Sequence, residues 1–145
     1  MVSVLSNRYT NNLKGSDALA WNFTSDRPIY LQISDKITAG ILSGEYKRGE
    51  KLPSVREFAE IAAVNPNTVQ RALAELETVG LIDNQRTTGK FVTQEEARIS
   101  DSRDRKGRGF AVDFLDNMAA INYESTQAIG LLTEVAASKE DESNG

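Results

Sequence analysis

SVREFAEIAAVNPNTVQRALAELETVG, the stretch from Ser54 to Gly80, contains two helix beginnings in close succession. Ser54 and Glu57 have the spacing of a capping box, in which the serine side chain accepts a hydrogen bond from the backbone N–H of the glutamate. Asn65-Pro66 marks the second beginning, because Asn caps free N–H groups and the fixed φ of Pro suits the first helical position. A short helix, a tight turn and an amphipathic helix in this order predict a helix-turn-helix.

The flanking sequence extends this motif on both sides. Ile29, Ile33, Ile37 and Ile41 recur every four residues, which predicts a helix with one buried face, capped by Asp26 and ended by Gly44. After Gly80 the apolar period changes towards two around the tip 86–89, which predicts a β-hairpin. The expected fold is therefore mainly α with a small β-hairpin: a winged helix-turn-helix over residues 21–93.

The rest of the chain differs in composition. Residues 1–20 are polar and lack either period, so we expect a mobile N-terminal arm. Residues 94–109 are strongly charged, and their basic cluster from Arg103 to Arg108 is interpreted as a solvated linker, with a contact to flanking DNA as the alternative. We expect residues 94–138 to form a short helical segment for dimerisation and for binding an effector, followed by a disordered acidic tail at 139–145. The predicted dimerisation residues are Phe110, Phe114, Met118 and Ile121.

The composition of this 145-residue chain excludes most catalytic and metal sites. It contains no histidine and no cysteine, which removes the usual general base, thiol nucleophiles and the commonest zinc ligands. We therefore expect neither an enzyme nor a cofactor. No apolar run is long enough to cross a membrane, and no leader is apparent, so a cytoplasmic location is expected.

Charge does not favour nucleic acid by itself. The chain has 17 basic and 21 acidic residues, and the charges between residues 26 and 93 cancel. Any affinity for DNA must therefore come from individually placed groups. The candidate DNA-binding residues are the polar and basic side chains at the starts of both helices and at the hairpin tip: Ser54, Arg56, Asn65, Asn67, Thr68, Gln70, Arg71, Arg86, Thr88, Gly89 and Lys90. Amide and guanidinium groups at the start of the third helix suit base edges, and the others suit phosphates.

These motifs at these spacings resemble the GntR family of bacterial regulators, and residues 64–70 resemble its YtrA-type branch. The resemblance implies a repressor that binds operator DNA as a homodimer, joined through C-terminal helices. It places DNA contacts on Arg56, on Asn65, Asn67 and Thr68, and on Gly89 with its neighbours. Pro66 stands where many relatives have a polar residue, and Ala63 where glycine is usual. The turn therefore either avoids a left-handed residue at that position or tolerates strain.

Other interpretations of these residues stay open at this point. Arg56 has the spacing of an ion pair with Glu60, and the hairpin tip has the composition of an ordinary solvated turn. A winged helix that binds proteins rather than DNA is the alternative function. An unidentified small molecule is a further candidate partner, and nothing in the sequence specifies its chemistry.

Overall fold

The computed structural model describes residues 21–145, so the predicted N-terminal arm lies outside the described residues. The chain divides into two compact units, with the boundary between Ser102 and Arg103. The described residues form five helices and one two-stranded antiparallel sheet. These are α1 (Ile29–Leu42), α2 (Val55–Ala62), α3 (Pro66–Thr78), β1 (Ile82–Gln85), β2 (Gly89–Val92), α4 (Glu96–Ala120) and α5 (Ser125–Ser143).

Helix α1 provides one wall of the core through the predicted isoleucine row. Ile33, Ile37 and Ile41 are buried, but Ile29 remains 43% exposed. The predicted cap is also wrong: Pro28 is the N-cap residue, and the side chain of Asp26 accepts a hydrogen bond from Thr24 instead. Because the helix begins at Ile29, this residue lies at the open end of the row rather than inside it.

The core of the first unit centres on Phe58, which has no exposed surface. Its ring lies 6.2 Å from that of Trp21 and 6.5 Å, edge to face, from that of Tyr46. Burial of an aromatic side chain of this size contributes about 1.5–3 kcal/mol. Helix α3 packs against α1, α2 and β1, so the core fixes its position in the unit. Val79, the residue that directly follows α3, is 51% exposed.

The predicted hairpin is confirmed, and a segment that the sequence did not reveal joins it. Ile82 pairs with Val92, and Gln85 with Gly89, around the tip 86–88. On the other side of β2, Val92 N–H donates to Glu50 O, and Leu52 N–H donates to Lys90 O, each at 2.9 Å. The backbone before α2 is thereby hydrogen-bonded to the hairpin of residues 82–92, which is the wing of this fold. This pairing places the start of α2 beside the wing.

The predicted linker at Arg103–Arg108 is wrong, because these residues lie within α4, which runs from Glu96 to Ala120 without a break. Its charges support the helix: Arg108 Nε lies 2.7 Å from Asp104 Oδ2, one turn away. The start of α4 is attached to the first unit by Ile99, which is buried. The predicted disordered tail also differs, since α5 extends to Ser143. Among the described helices, none combines the length and the apolar character that a membrane span requires.

Candidate nucleic-acid interface

The start of α2 presents Arg56 to solvent. Ser54 Oγ accepts a hydrogen bond from Glu57 N–H at 3.1 Å, as the capping-box spacing predicts, and the same hydroxyl donates to the Glu57 carboxylate at 3.2 Å. Arg56 Nε lies 3.7 Å from Glu60 Oε1, but the arginine side chain is 90% exposed. A pair this exposed holds its partners weakly, so Arg56 can leave Glu60 for a phosphate at little cost.

The turn between α2 and α3 contains a left-handed alanine. Ala63 has φ 56° and ψ 50°, so the turn tolerates strain rather than avoiding the left-handed conformation. Two backbone hydrogen bonds close it, from Ala63 N–H to Glu60 O at 3.3 Å and from Val64 N–H to Ala59 O at 3.1 Å. This closure sets the direction in which the chain enters α3.

Asn65 caps α3 with its side chain. Asn65 Oδ1 accepts from Asn67 N–H at 2.8 Å, and the backbone oxygen of Asn65 accepts from Thr68 N–H at 3.0 Å. Pro66 has no N–H to offer. The first-turn N–H groups are therefore engaged within the cap. Contacts with DNA at this end of α3 must come chiefly from side chains.

The side chains of the first turns of α3 are well suited to a polar groove. Asn67, Gln70 and Arg71 are exposed, while Val69 between them is fully buried and orients the helix. Charge is sorted along this helix, because residues 65–71 contain one arginine and no carboxylate, whereas Glu75 and Glu77 follow near its end. The formally neutral segment 26–93 thus presents no negative charge from the first half of α3.

An arginine–tyrosine stack joins α3 to α1. The guanidinium carbon of Arg71 lies 3.9 Å from the ring centroid of Tyr30. These two residues, with Ile29, Asn67 and Thr68, line an open groove of about 410 Å³. The contact brings the predicted site residue Arg71 together with Tyr30, for which no sequence pattern indicated a role.

A second groove of about 370 Å³ lies between the wing and the start of α2. Its lining includes Ser54 together with the predicted wing residues Arg86, Thr88, Gly89 and Lys90. Lys51 also lines this groove but was not among the predicted site residues. It lies beside the hairpin because its backbone pairs with Phe91 of β2, and the sequence did not predict this pairing. Gly89 has φ 116°, a conformation that L side chains rarely adopt, so glycine is required at this point of the tip.

Lys90 does not have the free ammonium group expected of a phosphate ligand. It forms a salt bridge with Glu77 on α3, and its side chain is 22% exposed. Arg86, by contrast, is exposed at the tip, and Thr88 Oγ1 donates to Gln85 Oε1 at 3.0 Å. The cation at the wing tip is therefore Arg86, while Lys90 ties the wing to α3.

The second unit contains the predicted dimerisation residues. Phe110 and Ile121 are 45% and 63% exposed, and Phe114 and Met118 are half-buried. Helix α5 adds large apolar side chains that are also exposed: Ile129, Leu131, Leu132 and Val135. Ala128, in contrast, is fully buried. The second unit therefore presents several large apolar side chains to solvent.

The first unit contains three helices followed by a short hairpin with glycine at its tip, and its third helix has a polar start. These features define a winged helix-turn-helix, a class of DNA-binding domain. Residues 29–92 match the model of the gntR family of bacterial regulatory proteins. The chain is 36% identical to the HTH-type transcriptional regulator YhcF of Bacillus subtilis over 115 residues, which covers 77% of this chain and 95% of that protein.

A further relative is the HTH-type transcriptional repressor YtrA of Bacillus subtilis, 46% identical over 70 residues, which covers 48% of this chain and 54% of that protein. Among solved structures, a GntR family transcriptional regulator from Listeria monocytogenes matches with a TM-score of 0.72 and 36% identity, covering 77% of this chain and 98% of that one. The chain belongs to the GntR family, and it is a DNA-binding transcriptional regulator.

Proposed function

We propose that this protein is a homodimeric repressor that binds a pseudo-palindromic operator in the cytoplasm. The observation that supports this most strongly is the exposed, carboxylate-free start of α3, where Asn67, Gln70 and Arg71 lie on a helix fixed by the core. In helix-turn-helix proteins the second helix of the motif, which is α3 here, is the recognition helix, and its first turns reach base edges in the major groove. The name of the relative YtrA supports repression as the outcome.

The side chains divide into two roles. Asn67 and Gln70 carry amides, which pair with the N6 and N7 edge of adenine, and they give sequence preference. Arg56 and Arg86 bind phosphates from the start of α2 and from the wing tip, and they fix the register without reading sequence. Thr68 adds a hydroxyl donor, and Ser54 and Thr88 add two more once their hydroxyls turn from Glu57 and Gln85 to the phosphate. Gly89 lets the wing backbone approach the sugar-phosphate chain.

Pairing of two copies through the second unit explains its exposed apolar side chains. At about 100° per residue, Phe110, Phe114 and Met118 fall within an arc of roughly 80° and form one stripe on α4, and Ile121 directly follows the end of that helix. Burying such a stripe against a second copy removes it from water. A twofold dimer then presents two copies of α3 to half-sites about one helical turn apart.

DNA binding is tested by fluorescence anisotropy on the operator, once genome-wide selection with the full-length protein has identified it. We expect Asn67→Ala to lose about 1–3 kcal/mol on the operator and little on scrambled DNA of the same length. Arg56→Ala should weaken binding to both. Lys139→Ala is the matched control, since it removes one exposed cation from α5, outside the proposed interface.

Equal affinity of the wild type for operator and scrambled DNA would overturn the proposal. It would favour the alternative, a winged helix that binds a protein. The exposed amides of α3 favour DNA over that alternative, because amide groups suit base edges, and Val69, the large aliphatic side chain in the first turns of α3, is fully buried.

The dimer is tested by light scattering coupled to gel filtration. We expect a mass of twice the 15.9 kDa chain for the wild type and of one chain for Phe110→Asp. Val112→Asp is the control: Val112 is 56% exposed but lies on the opposite face of α4, two residues further along. Dimers of both variants, or monomers of both, would show that the Phe110 stripe is not the interface.

A further inference from the structure

The Tyr30–Arg71 stack constrains which part of the arginine can bind a ligand. The centroid distance of 3.9 Å places the guanidinium over the face of the ring, within the range of a cation–π contact. The guanidinium carries five N–H donors, and a contact with one ring does not use them all. The guanidinium is therefore held against Tyr30 while N–H donors of this exposed side chain stay available to a ligand.

No carboxylate among residues 21–145 pairs with Arg71. Four other arginines among the described residues of the first unit do have acidic partners: Arg27, Arg48, Arg56 and Arg98. Arg71 is also exposed. Among the described residues, no acidic side chain thus compensates its positive charge, and an anion that reaches the groove beside Arg71 interacts with that charge directly.

The position of the Tyr30–Arg71 contact indicates which kind of anion binds in this groove. The groove of about 410 Å³ is lined by Ile29 and Tyr30 of α1 and by Asn67, Thr68 and Arg71 of α3. Tyr30 draws the guanidinium towards α1, to the flank of the recognition helix, whereas base edges are reached from the part of that helix that enters the groove. Phosphates border the groove on either side. The first-turn N–H groups of α3, which often bind such a phosphate, are engaged by Asn65.

We propose that Arg71 binds a DNA phosphate beside α1 rather than a base, and that Tyr30 is the positioning residue that holds its guanidinium for this contact. The inference rests on the proposed DNA-binding function and adds to it an anchoring contact made jointly by α1 and α3. It also revises the expectation that Arg71 reads bases.

Four variants of the full-length protein test the proposal: Arg71→Ala, Tyr30→Phe, Tyr30→Leu and the double variant Tyr30→Leu/Arg71→Ala. Tyr30 packs against the core, so leucine keeps apolar volume while it removes the π face, and phenylalanine keeps both. Thermal unfolding confirms that each variant is folded. Binding is measured by anisotropy on the operator and on scrambled DNA over a range of salt concentrations.

Arg71→Ala should weaken binding to both DNAs by a similar factor and make the slope of log K against log salt shallower by about 0.9 per subunit. Tyr30→Leu should weaken both by about two- to fivefold, the value of an exposed cation–π contact, and Tyr30→Phe should bind like the wild type. The double variant should bind no more weakly than Arg71→Ala, because Tyr30 acts only through Arg71.

Additive losses in the double variant would overturn the role of Tyr30. A loss confined to the operator in Arg71→Ala, with an unchanged salt slope, would show that Arg71 reads a base. Either result leaves the proposed function intact, provided that the wild type still prefers its operator; if the wild type shows no preference, the proposed function itself fails.

Discussion

Replacing Ala63 by glycine should stabilise the DNA-binding unit. Ala63 has φ 56°, and the left-handed conformation costs an L residue about 1–2 kcal/mol. Glycine avoids that cost but loses about 0.4–1 kcal/mol through the greater entropy of the unfolded chain. The Ala63 side chain is exposed, so little packing is lost. The net expectation for Ala63→Gly is a gain of about 0.5–1 kcal/mol.

The assay is urea and thermal unfolding followed by the fluorescence of Trp21. This is the only tryptophan in the sequence, and it is buried in the core of the first unit, so its signal reports on that unit. For a unit of this size the expected gain corresponds to a rise in Tm of about 3–6 °C. Both hydrogen bonds that close the turn are made by backbone groups and are unaffected by the change.

The matched control is Ala74→Gly. Ala74 is exposed in the interior of α3, where φ is right-handed and glycine costs about 1 kcal/mol relative to alanine. The same chemical change should therefore have opposite signs at the two sites. A loss of stability in both variants would refute the reasoning, because it would mean that Ala63 is unstrained in the folded protein.

Further predictions concern the wing, the cap of α3 and the core. Lys90→Ala should lower stability by about 1 kcal/mol and leave the salt slope of DNA binding unchanged, because Lys90 is paired with Glu77; a shallower slope would contradict this assignment, and a double-mutant cycle with Glu77→Ala measures the coupling. Asn65→Ala should cost about 1 kcal/mol in urea unfolding, whereas Asn65→Asp keeps an acceptor for the capping bond and should cost much less; equal losses would argue against the cap. Phe58→Ala should cost about 3–5 kcal/mol, and a loss below about 1 kcal/mol would be incompatible with a central position in the core.

Most of the first unit could be predicted from the sequence because its signals are local. A capping pair such as Ser54 and Glu57, or a row of isoleucines, specifies structure within one or two turns. The predictions of the fold and of the family were confirmed for this reason. The site residues at the start of α3 were predicted from the same kind of local signal. The structure adds that the side-chain oxygen of Asn65 accepts the capping hydrogen bond.

The errors arise where partners are distant in sequence. The pairing of the Glu50 segment with β2, the stack of Tyr30 on Arg71 and the salt bridge of Lys90 with Glu77 all join residues that no local pattern relates. These contacts change the roles of individual side chains rather than the fold. The charged start of α4 was missed for a different reason: it lacks an apolar stripe, and pairs such as Asp104–Arg108 support the helix instead.

The central claim is that a formally neutral domain binds a specific DNA sequence through a few placed groups. It is tested most directly by the salt dependence of the affinity of the wild-type dimer for its operator and for scrambled DNA. With Arg56, Arg71 and Arg86 each neutralising one phosphate in both subunits, log K should fall against log salt with a slope of about −5. The operator should bind at least about 10³-fold more tightly at physiological salt. A slope near −18, as ten phosphates per subunit would give, or the same affinity for both DNAs would contradict the account.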